Sequence, residues 1–170
     1  MADLPEIMDA NLPLSIDSQT VFPWLSLIVL LPAIGALIMP FIPTQEKNNS
    51  NLPRDISLVV LFADFLIIVG AFANLFDPRS ESLQLIERLQ WLPSIGLEWS
   101  LGVDGISAPL LVLSGLITLL SAAASWKVNQ KTRLYFALLL IQASAQALVF
   151  LSQDFLLFFL AWELELVPVY

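Results

Sequence analysis

The sequence has no cysteine and no histidine among its 170 residues. A disulfide is therefore excluded, and the usual protein ligands of iron–sulfur clusters, haem and zinc are missing. The commonest catalytic base is missing too. A net charge of −8 and the lack of a Gly-rich phosphate-binding motif argue against nucleic-acid and nucleotide sites. We therefore expect this chain to bind no cofactor, no metal and no nucleic acid by itself.

Charge is also scarce, at 13% of residues, whereas soluble domains carry about 25%. Long apolar runs take its place, and 58% of the residues are hydrophobic. A helix needs about 20 such residues to span a bilayer. We predict an all-α, polytopic membrane helical bundle with five transmembrane helices, near residues 22–42, 56–76, 106–126, 134–151 and 154–170.

The polar segments between these runs predict the orientation in the membrane. Residues 1–21 form a polar, acidic tail, and residues 77–105 form a long loop with only two basic residues. Two other links hold five basic residues: Lys47, Arg54, Lys127, Lys131 and Arg133. Because Lys and Arg favour cytoplasmic loops, we expect the tail and the long loop on the non-cytoplasmic side.

Glu163 is the leading candidate for chemistry. It lies about nine residues into the fifth predicted helix, roughly 14 Å from its start and close to the middle of the bilayer. A charge there costs at least about 3 kcal/mol on insertion scales, so a functional role as a proton carrier is favoured over simple helix packing. No Lys or Arg lies within any predicted helix, so we expect its counter-ion to come from another helix.

Two further acids are secondary candidates for a proton path. Glu165 lies two residues after Glu163 and should therefore point about 200° away from it. Asp64 lies in the middle of the second predicted helix and should face protein or water rather than lipid. For both residues, a functional and a structural role are equally compatible with the sequence.

Two helices carry polar stripes. The third has Ser107, Ser114, Thr118, Ser121 and Ser125 on one face, and the fourth has Gln142, Gln146 and Gln153 on one face. For the hydroxyl stripe we expect a tight packing seam rather than a hydrated lining. For the glutamines we expect interhelical hydrogen bonds rather than proton conduction. Asp104 or Ser107 should cap the third helix, and Asp154 the fifth.

Two stretches resemble a known family. FFLAWELELVPVY (158–170) and WSLGVDGISAPLLVLSG (99–115) resemble the fifth and third helices of the antiporter-like membrane subunits of respiratory complex I. The W-E-L-E-L-V-P-V-Y form is similar to that of the NAD(P)H-quinone oxidoreductase of cyanobacteria and chloroplasts. The resemblance is specific over residues 99–170. Over residues 1–98 only helix number and topology agree.

The resemblance implies a proton-translocating subunit in which Glu163 belongs to the conducting site and pairs with a lysine on a later helix. Family members are much longer, so the chain is interpreted as the N-terminal part of a larger antiporter-like fold, with that lysine helix beyond Tyr170. NAD(P)H or ferredoxin, iron–sulfur clusters and plastoquinone would be bound by other subunits. The implied location is a cyanobacterial thylakoid membrane with a lumenal N-terminus; a chloroplast thylakoid or a bacterial inner membrane are alternatives.

Two rival functions remain open. The same fold serves free-standing cation/proton antiporters, for which sodium-dependent transport without quinone reductase partners would be diagnostic. A non-transporting membrane scaffold is the third hypothesis, and it predicts an unaffected proton current after both glutamates are replaced.

Overall fold

The computed structural model of the chain describes residues 22–42, 52–80, 82–92, 94, 96–128 and 130–169. The predicted tail at residues 1–21 lies outside them. Five α-helices and one two-stranded antiparallel sheet follow each other along the chain. The elements are α1 (Trp24–Ile38), α2 (Leu52–Leu75), β1 (Gln84–Leu92), β2 (Leu97–Val103), α3 (Ser107–Ala124), α4 (Thr132–Leu151) and α5 (Phe155–Val169).

The predicted membrane helical bundle is confirmed, but the number of spans is corrected. Among the described residues, four helices are long and apolar enough to cross a membrane: α1 with the 3-10 turn that follows it (Trp24–Phe41), α2, α3 with its following turn (Ser107–Lys127), and α4. The helix α5 has 15 residues. At 1.5 Å per residue its described part is about 22 Å long.

Helix α2 begins earlier than its apolar run. It starts at Leu52 rather than near residue 56, and Pro53 is tolerated because N–H groups in a first turn have no intrahelical acceptor. The extension brings Arg54 into the helix, where it pairs with Asp55 at 2.9 Å and lies 4.0 Å from the centre of the Trp126 ring. Arg133 likewise lies in the first turn of α4. The expectation that no basic residue lies in a helix is therefore wrong.

Helix α4 is the centre of the bundle, because it packs against each of the other four helices. Its side chains Phe136, Leu140 and Leu151 are fully buried. The hydroxyl of Ser144 donates to the carbonyl oxygen of Val29 in α1 at 2.7 Å. Such a bond suits an apolar bundle, where a hydroxyl without a partner is unfavourable.

Gly35 of α1 lies close to side chains of both α2 and α4. A Cβ atom on Gly35 would lie 3.1 Å from Val60 and 3.3 Å from Leu140. These distances are tighter than ordinary van der Waals contact, so with a larger residue at position 35 the Val60 and Leu140 side chains would have to shift by a few tenths of an ångström.

The long loop contains a β-hairpin, which the sequence analysis did not predict. Strands β1 and β2 pair in antiparallel register, and Gly96 adopts a φ of +70° in the turn that joins them. That left-handed conformation favours glycine because it lacks a Cβ. The other edge of β2 is covered by the link between α4 and α5, where the N–H of Gln153 donates to the carbonyl oxygen of Ser100 at 2.8 Å.

The hairpin caps the start of α1. The carboxylate of Glu87 on β1 accepts hydrogen bonds from the N–H groups of Leu25 at 2.7 Å and Ser26 at 2.9 Å. It also accepts from the Ser26 hydroxyl at 2.6 Å, and the indole N–H of Trp99 donates to that hydroxyl oxygen at 2.9 Å. A carboxylate at this position satisfies free N–H groups and complements the helix dipole.

Two more acids cap helices at the same end of the bundle, as predicted. The carboxylate of Asp104 accepts from the N–H groups of Ile106 at 3.0 Å and Ser107 at 2.7 Å, at the start of α3. The carboxylate of Asp154 accepts from Leu156 and Leu157 of α5 and also from the N–H of Glu98 in β2 at 3.0 Å. Three helices therefore begin at the hairpin, each with an acid over its N-terminus.

We predict that Glu87→Ala loosens the first turn of α1. Loss of a helix cap typically costs about 1 kcal/mol, so the amides of Leu25 and Ser26 should exchange with solvent about fivefold faster. Hydrogen–deuterium exchange of the peptide over Trp24–Ile28 measures this. Gln90→Ala, on the same strand and exposed, is the control and should leave exchange unchanged. Equal exchange in the two variants would contradict the capping role.

We also predict acid sensitivity at the starts of α3 and α5. The N–H of Ser107 lowers the pKa of Asp104, and the N–H of Glu98 lowers the pKa of Asp154. Because each pKa is lower in the folded state, the stabilisation is fully present above the ordinary value of about 3.9 and is lost as the pH falls through the folded pKa.

Exchange at residues 106, 107, 156 and 157, corrected for intrinsic rates, should therefore be constant above about pH 5 and should accelerate below about pH 4. Asp104→Asn together with Asp154→Asn should remove this dependence. A pH dependence that survives both substitutions would assign the acid sensitivity to other groups.

Candidate functional site: a polar cavity between three helices

A cavity of about 300 Å³ lies between α3, α4 and α5. Apolar side chains form much of its wall, and six polar residues interrupt them. The polar lining residues are Ser114, Thr118, Ser121, Gln142, Gln146 and Glu165. Hydroxyl, amide and carboxyl groups together can order water within a membrane bundle.

The cavity forms because the two polar stripes of the sequence face each other. Residues 114, 118 and 121 lie on one face of α3, and residues 142 and 146 lie on one face of α4. This part of the hydroxyl stripe lines the cavity, and the Ser114 hydroxyl also bonds across to Gln146 of α4. Close packing of α3 uses a neighbouring face, where Gly115 lies against Ile68 of α2.

Gln146 links all three helices. The hydroxyl of Ser114 donates to its Oε1 atom at 3.0 Å, and its Nε2 atom donates to Oε1 of Glu165 at 3.1 Å. The hydroxyl of Thr118 lies 3.5 Å from the same Gln146 oxygen and donates to the carbonyl oxygen of Ser114 at 2.9 Å. The expectation of interhelical hydrogen bonds is confirmed for Gln146.

The two glutamates of α5 lie in different environments. Glu165 is half-buried at the cavity wall, whereas Glu163 is exposed on another face of the helix. Within the part of the chain that the structure describes, Glu163 makes no hydrogen bond or ion pair. The structure thus brings Glu165 into the polar network, and the predicted proton-carrying role of Glu163 stays a prediction.

Asp64 lies at the α2 interface and is only 5% exposed, so it faces protein as expected. Its Oδ1 atom is buried and has no hydrogen-bond partner among the described residues. It belongs to a buried face of α2 that also contains Ser57, Leu61, Ile68 and Ala71. An acid in such a place is unfavourable unless it is protonated or finds a partner outside the described residues.

Spacing within single helices singled out every polar residue of this cavity but did not bring residues of different helices together. It placed Glu165 second to Glu163, since only helix depth was available to rank them. The signal for the network was the shared spacing of the hydroxyl and glutamine stripes. The hairpin was missed although two strand-like runs, QLIERLQWL and LEWSLGV, flank a segment with Pro93 and Gly96.

We predict that Asp64→Leu stabilises the folded protein, because it removes a buried carboxyl without a partner. Relief of such a group amounts to about 1–3 kcal/mol, and a higher Tm in detergent measures it. Ser57→Ala is the control: this buried residue on the same helix bonds only the carbonyl oxygen of Pro53 at 2.7 Å, so its Tm should change little. A lower Tm for Asp64→Leu would mean that Asp64 has a partner elsewhere in the protein.

Known proteins are similar to this chain in sequence and in fold. No protein-family model matches the chain. It is 50% identical over 149 residues to an NAD(P)H-quinone oxidoreductase chain 4 of Trichormus variabilis, which covers 88% of this chain and 27% of the relative. It is 51% identical over 152 residues to the chain 4 of Prochlorococcus marinus, covering 89% of this chain and 28% of the relative.

Solved structures agree on the fold. A chain of respiratory complex I from Thermus thermophilus with bound NADH matches 85% of this chain at 24% identity and a TM-score of 0.67; the match covers 27% of that chain. A chain of the membrane-bound sulfane sulfur reductase, an archaeal respiratory membrane complex, also matches 85%, at 18% identity and a TM-score of 0.63; the match covers 22% of that chain. The resemblance drawn from the sequence is confirmed, and the chain spans about a quarter of the length of these relatives.

Proposed function

We propose that this chain, a relative of NAD(P)H-quinone oxidoreductase chain 4, is part of a proton-translocating membrane subunit of an NAD(P)H- or ferredoxin–plastoquinone oxidoreductase of the complex I type. The observation that carries the proposal is the polar cavity, in which Gln146 binds the carboxyl group of Glu165 between apolar helices. Ionisable residues inside membrane bundles mark ion and proton pathways. The names of the relatives support the same function.

Electron transfer belongs to other subunits in this proposal. The sequence has neither cysteine nor histidine to bind an iron–sulfur cluster. NAD(P)H or ferredoxin, the clusters and plastoquinone would be held elsewhere in the complex. The role of this chain is to move protons in response to quinone reduction.

Glu163 is the proposed proton carrier. Its face of α5 is exposed in the described part of the chain, between the exposed apolar side chains of Trp162 and Leu166. Such a face becomes an interior when further helices pack on it. A lysine on one of those helices would pair with Glu163, and a shift in that pairing would change the proton affinity of the carboxyl group.

Glu165 and Asp64 are secondary candidates on the proton path. Glu165 reaches the polar cavity and has a hydrogen-bond donor in Gln146 at 3.1 Å. Asp64 is buried on α2, a helix that packs against α3. Water in the cavity would connect Glu165 to hydroxyl groups along α3.

The proposed location is a cyanobacterial thylakoid membrane, with a chloroplast thylakoid or a bacterial inner membrane as alternatives. The chain is an integral membrane protein with four apolar helices of spanning length. Charge supports the orientation: Arg54, Lys127 and Arg133 lie at the bundle end opposite the hairpin. That end is proposed to face the cytoplasm, and the hairpin and N-terminus the lumen.

We predict that Glu163→Gln in the full-length subunit of the assembled complex reduces proton pumping by at least about tenfold, because the amide cannot take up a proton. Quinone-dependent proton uptake by membrane vesicles measures this. Glu98→Gln, an exposed acid on the hairpin, is the control and should pump normally. Normal pumping by Glu163→Gln would falsify the proposed role of Glu163.

The same assay separates the rival functions. Sodium-dependent transport in the absence of quinone reductase partners would indicate a cation/proton antiporter. Normal pumping after replacement of both Glu163 and Glu165 would indicate a scaffold subunit.

A further inference from the structure

The inference concerns Gln146, and it rests on the proposed proton path through the cavity. Its side chain lies between a hydroxyl on one helix and a carboxyl on another, with contacts of 3.0 Å to Ser114 and 3.1 Å to Glu165. A glutamine amide has two different ends, an acceptor oxygen and a donor NH₂ group. The orientation of the amide therefore decides whether its donor NH₂ group or its acceptor oxygen faces Glu165 at the cavity wall.

In the structure the Gln146 oxygen faces α3 and its NH₂ group faces Glu165, which suits an ionised carboxylate because that group only accepts hydrogen bonds. A hydroxyl has one proton. The Thr118 proton is used in the 2.9 Å bond to the carbonyl oxygen of Ser114, which is shorter than the 3.5 Å contact between the Thr118 hydroxyl and the Gln146 oxygen. Ser114 is thus the donor to the Gln146 oxygen. With its oxygen held on the α3 side, the amide presents its NH₂ group to Glu165.

No other charged group in the described chain competes for Glu165 at this wall. Helix α3 contains no charged residue, and α4 contains only Arg133, more than three turns from Gln146. Strand β2 of the hairpin packs on α5 and contains one acid, Glu98. The backbone N–H of Glu98 donates to the carboxylate of Asp154, at the start of α5. On its own helix the nearest acid is Glu163, which lies on a different face.

We infer that Gln146 is a positioning residue for Glu165: anchored by Ser114, its amide holds the carboxyl group at the cavity wall and adapts to its protonation. With Glu165 ionised, the Gln146 NH₂ group donates to the carboxylate. When a proton binds the facing carboxyl oxygen, that oxygen becomes a donor. Rotation of the amide then offers it the Gln146 oxygen, while the NH₂ group turns to the Ser114 oxygen as acceptor.

This rotation keeps the facing atoms of Ser114, Gln146 and Glu165 paired in both states. The proton gained by Glu165 comes from the cavity and stays on the carboxyl group, and Gln146 neither gains nor loses one. The Ser114 proton turns to a carbonyl oxygen one turn back on its own helix, a common bond for serine in apolar helices. Glu165 can thus change protonation without leaving an unpaired polar group, which would be costly in this bundle.

Gln146→Met tests the inference in the full-length subunit of the assembled complex. Methionine keeps the length and helix preference of glutamine and removes its hydrogen bonds. Ser144→Ala is the matched control, because it removes another interhelical bond of α4, the 2.7 Å bond to Val29, away from the cavity. Two measurements are made on each variant.

The first measurement is pH-difference infrared spectroscopy of the carboxyl C=O band of Glu165, identified by its loss in Glu165→Gln. In the protonated state the carboxyl O–H donates to the Gln146 oxygen, which weakens the adjoining C=O bond. Loss of that donation in Gln146→Met strengthens the C=O bond, so the band should move to higher wavenumber. A smaller move in the same direction is expected in Ser114→Ala, where the amide loses its anchor. The band should not move in Ser144→Ala. An unmoved band in Gln146→Met overturns the inference.

The second measurement is proton pumping by membrane vesicles. Gln146→Met should lower the rate by about tenfold, as expected for a hydrogen bond to a charged group. In the Glu165→Gln background it should have no further effect, since the two residues act together. Ser144→Ala should pump normally. Equal, additive losses in both backgrounds would overturn the inference, because they indicate a structural defect.

The two proposals fail in different ways. If Glu163→Gln and Glu165→Gln stop pumping while Gln146→Met pumps normally, the proposed function stands and the inference is overturned. If Glu163→Gln and Glu165→Gln pump normally, the proposed function fails, and the infrared shift alone decides whether Gln146 positions Glu165.

Discussion

Every polar group in this bundle must find a partner within the protein, because a lipid bilayer offers none. This constraint accounts for the hydroxyls of Ser121 and Ser125, which bond carbonyl oxygens one turn back on their own helix. It also accounts for the bond from Ser144 to α1. Where the helices separate, polar groups of three helices gather around one cavity and Gln146 connects them. Among the buried side-chain atoms of the described chain, Oδ1 of Asp64 has no partner.

The hairpin applies the same rule at the membrane surface. The first N–H groups of a helix have no partner in their own helix, and three helices of this bundle begin at one end. Glu87, Asp104 and Asp154 supply acceptors there, and Asp154 also binds strand β2. The hairpin therefore fixes the relative positions of α1, α3 and α5. Through α5 it also sets where Glu163 and Glu165 stand in the membrane.

Helix number and type followed from the sequence because apolar runs of this length have few alternatives. Boundaries were less certain: Arg54 and Asp55 are polar, yet they belong to α2, since they pair with each other and Arg54 lies over Trp126. The hairpin escaped prediction because its strands are held by backbone pairing and by contacts to distant helix ends. Spacing placed Glu163 within α5, where it makes no hydrogen bond or ion pair among the described residues.

The sequence by itself determined that this is a membrane bundle with acids inside apolar helices, since composition and helical spacing depend only on residue order. Spacing also determined that Glu163 and Glu165 point apart. Only the tertiary structure decided which of them meets polar groups, because that depends on the packing of α3 and α4 against α5. Gln146, Ser114 and Glu165 are far apart in the chain, and helix packing alone brings Gln146 within hydrogen-bond distance of the other two.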